Sequence, residues 1–125
     1  FAGSVAAAMA DTLASEVGGL FDDPRLITSL ERVEPGTDGA VTWQGELAGT
    51  AGSGLVAALA AVGMSLPGAP VAAAAVVLVG GVAGMTVDSL CGAVIEGSVV
   101  GNEGVNFLAT LGGATVSVLL GVVVL

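Results

Sequence analysis

Residues 47–87 read LAGTAGSGLVAALAAVGMSLPGAPVAAAAVVLVGGVAGMTV, 41 positions without one charged side chain. A bilayer core about 30 Å thick is crossed by about 20 helical residues, so this run is long enough for two crossings. Pro67-Gly68-Ala69-Pro70 divides it, because proline removes a backbone donor and disfavours helix at the residue before it. The two halves are Leu47–Leu66 and a return helix from Val71 to about Glu96. Working outward, Gly104–Leu125 is a second charge-free run, of 22 residues, and supplies a crossing from Val105 to Leu125. Phe1–Leu20, rich in alanine, reads as another, with Asp11, Ser15 and Glu16 in its second half. The predicted fold is all-α: a polytopic transmembrane helical bundle of about four spans, near 1–20, 47–66, 71–95 and 105–125, with a polar loop at 21–46, in a single membrane domain over 1–125.

Composition agrees with this. Ala, Gly and Val supply 64 of the 125 residues, and only 10% are charged, against about 25% in a soluble domain. The mean hydropathy is +1.00. A water-soluble globule cannot cover its surface with so few polar groups. The glycines have no triplet period, which excludes collagen, and the apolar character excludes disorder. Gly45/Gly49, Gly80/Gly84 and Gly97/Gly101 each form Gly-x-x-x-Gly, the spacing that lets membrane helices approach closely. The chain opens at Phe1 in mid-pattern with no basic n-region. Earlier helices of a longer membrane protein are therefore expected before it.

The net charge is −9, with two arginines, no lysine and no histidine. Nothing in the chain can neutralise a nucleic-acid backbone, so no nucleic-acid partner is expected. One cysteine, Cys91, excludes an internal disulfide and a cysteine-cluster zinc site. A metal would have to be a hard, oxygen-bound ion such as Mg²⁺. Six of the eleven acids and both arginines lie between Asp22 and Glu46. There Leu26, Leu30 and Val33 recur at i, i+4 and i+7, which predicts a short amphipathic turn at the membrane interface. Glu34-Pro35-Gly36-Thr37-Asp38-Gly39 reads as a tight turn. Tracing the spans back and forth brings all eleven acids on or near one membrane face. The sole basic loop is on that face too, so positive-inside statistics make it cytoplasmic.

Asp11 and Asp88 are the leading candidates for chemistry. A carboxylate within an apolar span costs roughly 2.5–3.5 kcal/mol even on the lenient insertion scale; the plainer alternative is that each marks a helix end at the headgroups. Asp11 and Ser15 share a helix face. Asp88 and Glu96 lie about 80° apart, within one broad stripe. Asn102 and Asn106 sit at i and i+4 where the last span begins, and capping by Asn102 is the simpler reading there. In the turn Gly36-Thr37-Asp38-Gly39, successive backbone N–H groups can cradle an anion, with Arg32 and Arg25 the only cations nearby. The run Gly49-Thr50-Ala51-Gly52-Ser53-Gly54 lacks the Lys-Ser/Thr end of a P-loop and is not read as one.

Five blocks in order carry a resemblance. They are Ala10-Asp11-Thr12-Leu13-Ala14-Ser15-Glu16-Val17-Gly18; Pro24-Arg25-Leu26-Ile27-Thr28; Val33-Glu34-Pro35-Gly36-Thr37-Asp38-Gly39-Ala40-Val41-Thr42; Val87-Asp88-Ser89-Leu90-Cys91-Gly92-Ala93; and Asn102-Glu103-Gly104-Val105-Asn106-Phe107. Over nearly all its length the chain resembles the C-terminal portion of the domain of unknown function 92 family, which includes transmembrane protein 19 and the plant phytyl-phosphate kinase. More distantly, the Asp11-x-x-Ala14-Ser15-x-x-Gly18 block followed by a Gly-rich turn is similar to CTP-dependent dolichol kinases and CDP-diacylglycerol synthases. The resemblance implies a membrane kinase of isoprenoid metabolism, a transferase using a nucleoside triphosphate, CTP favoured, to phosphorylate a phytyl- or geranylgeranyl-type monophosphate. It implies Mg²⁺ held by Asp11 and Asp88 as catalytic and metal residues. Ser15, Arg32, Gly36, Thr37, Gly39, Asn102 and Asn106 would then bind nucleotide or phosphate. Relatives often place a lysine just before the Gly-Thr turn; here the region holds Glu31-Arg32, so Arg32 would take that role. The expected partners are a prenyl phosphate lipid and a nucleoside triphosphate, with a homo-oligomer as a further option.

The residues on their own point the same way, since phosphoryl transfer asks chiefly for positioning and charge neutralisation. Two rival readings are a cation- or proton-coupled transporter working through Asp11, Glu16 and Asp88, and a non-catalytic scaffold built on Gly-x-x-x-Gly contacts. A transporter predicts acids spread through the membrane depth, whereas these gather at one face. A scaffold explains the glycines but not the acids within the spans.

Overall fold

The computed structural model describes residues 1–95 and 100–125. Its elements in chain order are α1 (Ala2–Gly18), β1 (Arg25–Leu26), β2 (Ala40–Val41), α2 (Trp43–Gly63), α3 (Pro70–Val94) and α4 (Asn102–Val124). Each helix begins and ends for a local reason. α1 stops at the tandem Gly18-Gly19, ahead of the expected Asp22-Asp23-Pro24 break, because glycine is among the poorest helix formers; the Gly19 N–H closes the last turn on the Ser15 carbonyl. α2 begins four residues before the expected Leu47 because Thr42 caps it, its hydroxyl accepting from the Gly45 N–H at 3.1 Å. Residues 43–46 therefore belong to a helix and not to the polar loop. Pro70 opens α3 at the first turn, where its missing donor is harmless. Gly101, not Asn102, occupies the N-cap of α4, and no side chain caps that end; capping is therefore not the role of Asn102.

Three helices, α2, α3 and α4, are long and apolar enough to cross a membrane. α1 is shorter, 17 residues or about 25 Å, and carries Asp11 and Glu16. It is nevertheless an integral member of the bundle, packed on all three of the others. The architecture is the all-α membrane bundle that the charge-free runs predict.

Lipid offers no hydrophobic drive for helix association, so close van der Waals contact between small residues must supply it. The buried core is accordingly built of alanine, with Ala6, Ala7 and Ala10 of α1 fully enclosed, and its largest fully buried side chains are Met85, Val105 and Ser53. Glycines bring the backbones together. A Cβ on Gly84 would overlap the Ala7 methyl of α1 and approach the Ala109 carbonyl of α4; one on Gly49 would meet Met85 Sδ of α3 and the Ala10 carbonyl. These are the packing roles expected of Gly80/Gly84 and Gly45/Gly49, whereas Glu96 and Gly97 lie outside the described residues. A hydrogen bond crosses the core, from Ser53 Oγ on α2 to the Leu78 carbonyl on α3, 2.9 Å.

The contacts also orient the helices. Gly18 faces Thr42 and Gly45, and Gly39 faces Ala93, so the end of α1, the start of α2 and the end of α3 share one end of the bundle. Gly68 faces Leu125 at the opposite end. The loop between α1 and α2 is not a helical turn at the interface. Leu26, expected on an amphipathic turn with Leu30 and Val33, lies in a two-stranded antiparallel pairing, Arg25 with Val41 and Leu26 with Ala40. Leu30 adopts a left-handed φ of 59° at the bend between Arg25 and Arg32, which bridge each other. Backbone pairing satisfies more donors and acceptors than one frayed helical turn would, and it folds the loop back over the polar end.

Candidate functional site

Asp11 and Asp88 start on different helices, 77 residues apart in the chain. α1 and α3 run parallel and in close contact because Gly81 and Gly84 admit the methyls of Ala6 and Ala7. One to two turns further along each helix, toward the polar end, that register brings Asp11 to Asp88. Their side chains come within interaction range of one another, and Asp88 Oδ1 is sealed from solvent. Two carboxylates at such range need either one shared proton or a cation between them.

The pair opens onto a cavity of about 270 Å³. α1 contributes Asp11, Ala14, Ser15 and Gly18 to its wall, α2 contributes Gly45 and Glu46, and α3 contributes Asp88 and Ser89. Asn102, the first residue of α4, completes the helical side, and the loop from Pro35 to Thr42 closes the remainder. The loop can approach so closely because Gly39, at φ 74°, lies against the Ala93 backbone where no Cβ would fit.

The turn Gly36-Thr37-Asp38-Gly39 forms as its composition predicts. Gly36 and Gly39 both take left-handed φ, 86° and 74°, and the Ala40 N–H donates to the Thr37 carbonyl at 3.0 Å. Thr37 directs both its donors inward, since its N–H and its hydroxyl each reach the Glu34 carbonyl, at 3.2 and 2.7 Å. Among the described residues the N–H groups of Gly36, Asp38 and Gly39 have no protein acceptor. Any anion held by this turn would be held by those three groups, with Thr37 keeping the turn in shape.

Of the site residues expected from sequence, the cavity gathers Asp11, Ser15, Gly36, Thr37, Gly39, Asp88 and Asn102. Arg32 and Asn106 lie outside it. Asn106 is exposed on α4, one turn beyond Asn102. Arg32 Nε pairs with Asp23 Oδ1 at 2.9 Å, and its Nη2 donates to the Asp22 carbonyl at 3.0 Å. It borders a separate surface depression with Asp22, Val33, Glu34, Pro35 and Thr37. Arg25 is held similarly, by Asp23 at 3.8 Å and by the Leu30 carbonyl at 3.0 Å. Neither arginine borders the cavity that holds Asp11 and Asp88.

Glu46 is the residue that sequence reading left out. Its acidic neighbours in the sequence place it with the polar loop, yet it sits in the first turn of α2, half-buried, on the cavity wall. A threonine N-cap with an acid in the following first turn is the signal that assigns it to the helix. Among the described residues no three carboxylate or cysteine groups come close enough together to hold one ion. Two carboxylates are nevertheless a sufficient protein share for Mg²⁺, which usually keeps several waters and takes phosphate oxygens as its remaining ligands.

Residues 1–114 match the family described as integral membrane protein DUF92. The chain belongs to the DUF92 family. It is 44% identical, over 119 residues, to an uncharacterized membrane protein of Methanocaldococcus jannaschii. That match takes in 94% of this chain and 48% of the relative, so the chain spans about half the length of that relative. No solved structure matches the chain. Within the family portion fall every residue of the cavity wall and the paired aspartates, and only the last turns of α4 extend past it.

Proposed function

We propose that the full-length protein is an isoprenoid-phosphate kinase, transferring a phosphoryl group from a nucleoside triphosphate, CTP favoured, to a phytyl- or geranylgeranyl-type monophosphate in the membrane. The observation that carries this reading is that Asp11 and Asp88 come together in a cavity also lined by a turn with three backbone N–H groups that have no protein acceptor among the described residues. The similarity of the Asp11–Gly18 block and the following Gly-rich turn to CTP-dependent dolichol kinases and CDP-diacylglycerol synthases supports it. So does membership of the family that includes the plant phytyl-phosphate kinase.

In this reading Asp11 and Asp88 would hold Mg²⁺. The bound ion would supply neutralisation of charge on the phosphates. The N–H groups of Gly36, Asp38 and Gly39 would donate to non-bridging phosphate oxygens, with Ser15 and the Asn102 amide as further donors on the helical side. An acceptor phosphate oxygen attacks the γ-phosphorus, and the bond from that phosphorus to the bridging oxygen of the nucleoside diphosphate breaks. The acceptor oxygen is already ionised, so no general base is required. What the chain must provide is alignment and a low-water site. The acceptor's apolar tail would lie along the lipid-facing helices. The polar end would face the cytoplasm, where nucleotides are, as the placement of both arginines on that loop favours.

The test is a substrate screen of the full-length protein in detergent, pairing each nucleoside triphosphate with prenyl monophosphates of several lengths. Production of a prenyl diphosphate in the presence of Mg²⁺ is the expected outcome. No turnover with any pair would overturn the reading.

A further inference from the structure

Among the described residues four acidic ones line the cavity, Asp11, Asp38, Glu46 and Asp88, and no cationic side chain does. The whole chain has only two arginines and neither lysine nor histidine, and both arginines are turned to Asp23 and to loop carbonyls. A bare phosphate chain entering this cavity therefore meets only uncharged donors in its favour, the backbone N–H groups with Ser15 and Asn102, and several negative charges against it. Asp11 and Asp88 are mutually engaged. Asp38 is exposed on the loop, where water screens it. Glu46 is different: it is half-buried, it belongs to no three-ligand cluster with the aspartates, and the kinase chemistry gives it no proton to move.

We infer that Glu46 is a specificity residue of the proposed kinase site, a fixed negative charge that rejects metal-free phosphates and admits a phosphate-bearing ligand only as its divalent-cation complex. The inference rests on the kinase reading. Its physical content is the difference in charge between the two forms of one ligand. A round cavity of this volume is about 8 Å across, and a unit charge at about 8 Å, in an effective dielectric of about 20, opposes each added negative charge by tenfold or more in affinity. The complexed form carries less net charge and feels correspondingly less of that opposition. Such a filter would keep the abundant uncomplexed fraction of a phosphate ligand from occupying the site unproductively.

The experiment is calorimetric titration of the full-length protein in detergent with inorganic pyrophosphate and, in separate runs, with a prenyl monophosphate. Each is titrated in excess Mg²⁺ and in excess EDTA. The wild type should bind in Mg²⁺ and lose about a hundredfold in EDTA. Glu46→Gln should tighten metal-free binding by at least about tenfold more than it tightens binding in Mg²⁺. Glu46→Asp, which keeps the charge, should keep the exclusion. Relief with pyrophosphate alone would assign the filter to the soluble donor, and relief with the prenyl phosphate alone to the lipid headgroup; either supports it. Unchanged metal-free binding in Glu46→Gln, or equal relief in Glu46→Asp, would overturn the filter and leave the kinase reading standing. A loss in Mg²⁺ as large as that of Asp11→Asn would also overturn it, by making Glu46 part of the ion's support. Absence of wild-type binding to either probe in Mg²⁺ would remove the kinase reading and the filter together.

Discussion

Substituting Gly39 and Gly36 separately measures how firmly the loop is seated on the helical bundle. Both glycines have left-handed backbone, φ 74° and 86°, so an alanine at either carries the same conformational cost of about 1–2 kcal/mol. Their surroundings differ. A Cβ at Gly36 has nothing within 4 Å, whereas one at Gly39 would overlap the Ala93 Cβ, N and Cα on α3. Backbone atoms of a packed helix cannot yield as a side chain can, and overpacking of this kind adds about 1–3 kcal/mol. Gly36→Ala should therefore cost about 1–2 kcal/mol and Gly39→Ala about 2–5 kcal/mol, unless the loop lifts away from α3. Lifting would spare stability but open the cavity. The assay is reversible unfolding of the full-length protein in mixed micelles, paired with pyrophosphate binding in Mg²⁺. Gly39→Ala should be the worse of the two by at least about 1 kcal/mol, or should lose at least tenfold more affinity than Gly36→Ala. Indistinguishable behaviour of the two variants in both measurements would refute the seating of the turn on the end of α3.

Three other outcomes follow from the same structure. Arg32→Ala should retain phosphorylation within about threefold, because the side chain is paired with exposed Asp23 and such pairs contribute little; a loss of a hundredfold in turnover would return Arg32 to the site. Ser53→Ala removes a hydrogen bond that crosses from α2 to α3 and should lower unfolding stability by about 0.6–1.7 kcal/mol, with no change in substrate affinity. In a Cys91→Ser background, cysteines placed at positions 38 and 101 should both label from the same side of the membrane; labelling from opposite sides would break the topology that gathers the acids.

How much of this was legible in the sequence depended on the range of the interaction. The helices of the bundle follow from charge-free runs and from Pro67–Pro70, since lipid admits only internally bonded backbone. Their ends shifted by a few residues wherever a local cap, such as Thr42 or the Gly18-Gly19 pair, outweighed the apolar pattern. The spacing of Leu26, Leu30 and Val33 suits a helical turn and equally a strand and a bend; pairing of Leu26 with Ala40, fourteen residues on, decides between them. Asp11 and Asp88 were legible as costly residues, but their mutual contact depends on the parallel register of α1 and α3, which Gly81 and Gly84 set. The placement of Arg32 was illegible from its neighbours: the sequence puts it beside the turn, and the Arg25–Arg32 bridge turns it to Asp23. Glu46 was hidden by being counted with the loop instead of with the helix it begins.

The most direct test of the central claim is turnover of a prenyl monophosphate by the full-length protein, with CTP and Mg²⁺, in Asp11→Asn and Asp88→Asn. Each substitution preserves side-chain volume and removes one charge from the pair. Electrostatic groups of this kind commonly contribute about 10²–10³ in rate. Each variant should lose at least tenfold, and up to about a thousandfold, in kcat while unfolding at the wild-type midpoint or above, because a buried charge has been taken away. Wild-type turnover in both variants would contradict the assignment of Asp11 and Asp88 to the reacting centre.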